Sequence, residues 1–168
     1  MPRPRSPSVE SYAHKAAKAV FAGWLEEVAD TSDGGWVCFG APSACISWRP
    51  GQVWTEYPLA KANPRFNPPE REGFYPVWRE VSPAWSCRPP TFGELAALGQ
   101  APEFIFDIAI EHKGRLLYAI EIVHKHPPGD KKIRVCRELG IELVVVPAAW
   151  VLGQVGVPHL IPREFFAA

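Results

Sequence analysis

The chain carries no excess charge of either sign: Lys plus Arg and Asp plus Glu each number 18 in 168 residues. That balance argues against a generic polyanion binder, so any nucleic-acid contact has to come from a local patch. No apolar run is long enough to span a bilayer, and no signal-peptide pattern is visible, so a cytoplasmic protein without a membrane partner is expected. The four cysteines, Cys38, Cys45, Cys87 and Cys136, show no CxxC pairing, which favours free thiols over a disulfide framework or a zinc site. A Ser/His/Asp triad, a P-loop and a dinucleotide-type glycine pattern are all missing, which leaves those chemistries without a candidate.

What is present is a globular composition, 47% hydrophobic and 12% aromatic, at a length suited to one domain. Prolines number 19, against an ordinary level of about 5%. Many fall between Ala60 and Pro102, a stretch with little strand pattern. There Phe74, Tyr75, Trp78, Arg79, Trp85 and Arg88 interleave aromatics with cations. Such a composition suits base stacking with phosphate contact, and equally a loop pinned to the core by its rings. Residues 1–8 read as a Pro/Arg tail, with the domain spanning 9–168.

Val9 to Asp30 reads as a helix, with Ser8 as N-cap and Glu10 in the first turn. Ala13, Ala16, Ala17, Val20, Phe21, Trp24 and Val28 form its apolar stripe. Glu10, His14 and Lys18 line up beside that stripe at i, i+4 and i+8. The bland account of those three is a solvated, salt-bridged edge. Trp36–Phe39 and Ala44–Trp48 are hairpin strands, and Gln52–Leu59 is a further strand. Thr91 to Leu98 is a short helix.

Phe104 to Pro147 then reads as strand, tight turn, strand, loop, helix, strand. Asp130 is expected to cap the helix, and Gly140 to end it in the left-handed conformation. Lys132 shares the side of Val135, Cys136 and Leu139, whereas Lys131, Arg134 and Arg137 face outward. Ala148 to Ala168 reads as a tail.

Two carboxylates, Asp107 and Glu121, interrupt the apolar strands of this stretch. A carboxylate there is costly unless it is paired or binds a metal. A two-residue loop at Lys113-Gly114 sends the two acids to opposite faces. A three-residue loop, Lys113 to Arg115, sets them directly opposite, with Cβ atoms about 4.5–5.5 Å apart. Like charges at that spacing call for a cation between them, and a hard divalent ion fits. Spacing alone leaves both loops open. His124, Lys125, His126, Lys131 and Lys132 cluster where the strand gives way to the helix, which is either a solvated rim or part of a site.

The order Asp107, then Glu121-Ile122-Val123-His124-Lys125-His126, then Lys132-Ile133, then Gly140-Ile141 and an apolar strand resembles the competence protein CoiA-like branch of the PD-(D/E)XK, or restriction-endonuclease-like, nucleases. The opening ESYAHKAAKAVFAGWL is similar to that family's first helix, which flanks the active site and can contribute a Glu. Glu56 occupies the place of an acid often found on the first core strand, or is an exposed strand residue. The chain departs from the superfamily at Val123, where a Lys normally stands two residues after the Glu.

The resemblance implies an α/β fold with an α-β-β-β-α-β core and a mixed central sheet flanked by helices. It implies a nuclease (a phosphodiester hydrolase) that uses Mg²⁺ or Mn²⁺ and acts on nucleic acid, DNA foremost. Asp107 and Glu121 would be the primary metal ligands, with the Ile122 carbonyl and Glu10 or Glu56 as further ones. Lys132, Lys125 or His126 would take the place of the missing Lys. His14, Lys18, Lys131 and Arg134 would meet the nucleic-acid backbone. The departure at Val123 and the neutral charge leave an alternative: an inactive module of the same fold that binds nucleic acid or a protein partner.

Overall fold

Burial begins on the stripe expected of the first helix. In a computed structural model, Ala17, Phe21, Ala22 and Leu25 are buried along α1 (Tyr12–Ala29), which ion pairs and apolar contacts fix against a sheet. The structure describes residues 11–29, 35–39, 45–48, 53–61, 74–75, 92–97, 102–112, 115–158 and 160–167. Ser11, and not Ser8, caps α1: the His14 N–H donates to Ser11 Oγ at 3.2 Å, which satisfies one of the helix's orphan donors. Glu10, expected to contribute to the site, lies outside the described residues.

The remaining elements are β1 (Gly35–Phe39), β2 (Cys45–Trp48), β3 (Val53–Lys61), β4 (Phe74–Tyr75), α2 (Phe92–Ala97), β5 (Pro102–His112), β6 (Arg115–Val123), α3 (Asp130–Leu139), β7 (Glu142–Pro147), α4 (Ala148–Leu152) and β8 (Leu160–Ile161), followed by a 3₁₀ turn at Arg163–Phe165. β1 and β2 form the expected hairpin, and β8 joins β1 in parallel to make a three-stranded sheet. The main sheet has the order β4-β3-β5-β6-β7. β3, β5 and β6 run antiparallel, and α3 carries the chain across so that β7 lies parallel to β6. The class is thus α/β with a mixed sheet flanked by helices. No helix among the described residues is long and apolar enough to cross a membrane.

The sheet separates two apolar layers. Ile108, Ile110, Ile120, Ile122, Val144 and Val146 pack with Phe21 of α1 and Val151 of α4. On the other face Tyr57, Phe106, Ala109, Ala119 and Leu143 pack with Val135 and Cys136 of α3. Full burial of one such side chain contributes about 1.5–3 kcal/mol, so both covered faces of the sheet add to stability.

Two local expectations are corrected. Gly129, with extended backbone, is the N-cap of α3, and it makes no side-chain cap bond. Asp130 is instead the first helical residue, where its charge complements the helix dipole. The end of α3 is as expected: Gly140 has φ 68°, and the Ile141 N–H reaches back to the Cys136 carbonyl at 2.8 Å. The segment after Pro147 is no loose tail. Trp150 meets Trp24 and Phe165 edge to face at 6.3 and 5.2 Å, and the Ala167 N–H donates to the Leu143 carbonyl at 2.9 Å.

Candidate functional site

The β5–β6 hairpin sets the two central acids by a route that neither expected loop describes. His112 pairs with Arg115, so only two residues separate the strands. The register then shifts between Ile110 and Glu111, and beyond that bulge Ile110 faces Tyr118, Ala109 faces Ala119 and Ile108 faces Ile120. The ladder ends at the Ile108–Ile120 pair, so Asp107 and Glu121 flank the point where the strands part. A short connection plus one bulge thus gives the register of the longer loop, but only as far as Ile108.

Asp107 is the point where alternation breaks. Ala109 and Phe106, three apart, share the α3 face, whereas Ile108 and Ile110 share the α1 face. Its partner strand breaks in step. Trp54 and Tyr57 both lie on the α3 face, and between them Glu56 takes φ 52°, a left-handed backbone that is rare outside glycine. Thr55 faces Ile108 and Tyr57 faces Phe106, so Glu56 and Asp107 occupy matching irregular positions. Glu56 and Asp107 therefore stand in one row across β3 and β5.

The irregularity turns Asp107 into the gap where β5 leaves β6. Its Oδ2 accepts the Ile122 backbone N–H at 2.8 Å, replacing a ladder bond with a side-chain bond. The same oxygen accepts His14 Nε2 at 3.0 Å, while Lys18 Nζ stands 3.6 Å from Oδ1. Lys18 also pairs with the Glu56 carboxylate. His14 and Lys18 belong to the same inward stripe as Ala17 and Phe21, which is how two polar residues of α1 arrive at the sheet. They reach the acids of the protein itself, in addition to any role toward a backbone phosphate.

Glu121 faces α3. Lys132 Nζ lies 2.9 Å from its Oε2, donates to the Ile105 carbonyl at 3.0 Å, and sits 5.0 Å from the centre of the Phe106 ring. Among the described residues, the buried Glu121 Oε1 has no hydrogen-bond partner. Burial raises the Glu121 carboxyl above its ordinary value; Lys132 counters this, and the negative charge of Asp107 adds to it. The one-face arrangement expected from the longer loop is not found: Asp107 leans toward α1 and Glu121 toward α3, on opposite layers of the sheet, linked through the Asp107–Ile122 bond.

Other candidates stand apart. Lys125 and His126 are exposed on the loop after β6. Lys131 pairs with Glu103, and Arg134 lies 3.9 Å from Glu138 on the outer face of α3. Ile122 enters through its N–H. Glu56 was legible as an acid on a strand, but its place in the row depends on the paired irregularity. The described residues contain no group of three or more His, Cys, Asp or Glu arranged to hold a metal. Comparison with protein-family models, with curated proteins and with solved structures finds no match.

Proposed function

We propose that this chain is a Mg²⁺- or Mn²⁺-dependent nuclease of restriction-endonuclease-like fold, acting on nucleic acid and on DNA in particular. One observation carries the reading. Asp107, held by the Ile122 N–H, and Glu121 flank the point where β5 and β6 part, and a lysine, Lys132, is already seated on the second acid. This supports Lys132 as the replacement for the lysine absent at Val123. It also favours an active enzyme over an inactive module of the same fold.

The residues fit a hard divalent ion. Carboxylate oxygens are its preferred ligands, and Glu121 Oε1 is a buried acceptor with no partner among the described residues. Asp107 and Glu121 would hold the ion, with the Ile122 carbonyl and water completing the shell. When bound, such an ion neutralises the scissile phosphate and lowers the pKa of an attacking water. The Ile122 N–H and His14 fix the Asp107 carboxylate in one orientation. Lys132 brings a fixed positive charge to the reacting phosphate and supports the charge that builds there. Its bond to the Ile105 carbonyl holds the ammonium in place without a mobile loop.

The test is incubation of the full chain with plasmid and with single-stranded DNA, in Mg²⁺, in Mn²⁺ and in EDTA. Metal-dependent cleavage that disappears in Asp107→Ala and Glu121→Ala is the expected result. Binding without cleavage, indifferent to EDTA, would instead identify a nucleic-acid-binding module, and absence of both would point to a protein partner.

A further inference from the structure

Lys18 presents a problem for any cation held by Asp107. Its ammonium is 3.6 Å from Asp107 Oδ1, and its side chain is only 13% exposed, so it cannot swing freely into water. A positive charge so placed opposes a second one on the same carboxylate. The structure also supplies a counterweight. Glu56, in register with Asp107 and held at φ 52°, takes the same ammonium in an ion pair, and its own side chain is 58% exposed. Lys18 therefore bridges the two acids and stands nearer to Glu56 than to Asp107.

We infer that Lys18 is an internal competitor for the cation at Asp107, and that Glu56 is a positioning residue that sets its strength by holding Lys18 aside. This rests on the reading of Asp107 and Glu121 as cation ligands. Glu56 acts through Lys18 and does not touch the ion. Two consequences separate it from an acid that binds metal directly: removing Lys18 strengthens cation binding, and removing Glu56 matters only while Lys18 is present. The unusual backbone at Glu56 then has a role. It turns the side chain at this row toward α1, where a regular strand residue would follow the alternation of its neighbours.

The experiment is calorimetric titration of the full chain with Mn²⁺ in four forms: wild type, Lys18→Met, Glu56→Gln and the double variant. Exposed or half-exposed ion pairs are worth a few-fold in affinity, which sets the scale. Lys18→Met is expected to tighten Mn²⁺ about fivefold, and Glu56→Gln to weaken it about fivefold. In the Lys18→Met background, Glu56→Gln should change affinity by less than about twofold, since a coupled pair is non-additive. Equal weakening by Glu56→Gln in both backgrounds overturns the inference and makes Glu56 a ligand. Unchanged affinity in Lys18→Met overturns it as well. Wild-type protein that takes up no Mn²⁺ overturns the nuclease reading along with it. Lys18→Gln is carried in parallel, so that misfolding of one variant does not remove the comparison.

Discussion

The two ends of the β5–β6 hairpin each bury a glutamate, and they treat it differently. Near the turn, Glu111 is 4% exposed and accepts a hydrogen bond from the Tyr57 hydroxyl at 3.2 Å. At the far end, Glu121 meets the ammonium of Lys132 and leaves Oε1 without a partner among the described residues. Glu111 sits at the register shift, where its burial helps fix the pairing of the strands. Glu121 sits where the strands part. A buried acid is therefore no sign of chemistry in itself; the case for Glu121 rests on its pairing with Lys132 and its place beside Asp107.

The sharpest way to break this comparison is to neutralise each acid in turn. Asp107→Asn and Glu121→Gln should each lower Mg²⁺-dependent cleavage by about a thousandfold, as expected when several kcal/mol of charge stabilisation are lost. Glu111→Gln should keep cleavage within a few-fold, measured as initial rate on plasmid. Equal losses at all three positions would erase the distinction between the two ends.

Stability separates the ends next. Lys132→Met leaves Glu121 buried without its ion partner and should destabilise the fold by about 3 kcal/mol at neutral pH. The deficit should shrink in acid, where Glu121 takes up a proton. Tyr57→Phe removes a donor from Glu111 and should lower stability by about 1–3 kcal/mol. Urea unfolding at several pH values measures both.

Glu121 itself offers a subtler reading of pH. Its folded-state carboxyl titrates above the ordinary 4.5, chiefly through burial, so its stabilising contribution is complete below that value and fades as pH rises through the folded one. Glu121→Gln should remove this slope. The smallest effect belongs to Cys136, buried one turn beyond Lys132 on α3. Burial raises its thiol from 9.0 to about 11, with Lys132 opposing and Glu121 reinforcing. Native protein should therefore resist alkylation at pH 8, and the thiol's contribution to stability should fade only between pH 9 and about 11.

Much of this was legible in the residues. Phe21, Trp24 and their neighbours mark α1 by helical spacing, and the apolar flanks of Asp107 and Glu121 mark two strands with acids where acids are costly. Lys132 was readable because it shares a helix side with Val135 and Cys136. The register was not, because the shift at Glu111 involves Tyr57, 54 residues earlier in the chain. Ser8 and Asp130 look like caps by type, but the helices begin at Tyr12 and at Asp130 itself, leaving Ser11 and Gly129 in those positions. The segment after Pro147 gave no pattern because its order comes from distant rings, Trp24 against Trp150 and Trp150 against Phe165.

The matched irregularities of β3 and β5 behave like two meshed gears. Deleting Glu56 alone, or Asp107 alone, would make that strand alternate regularly but leave the extra residue of its neighbour unmatched. Only a joint deletion restores the meshing, and it removes the aspartate as it does so. A chain of this architecture can thus recover a regular sheet there only by giving up its central acid.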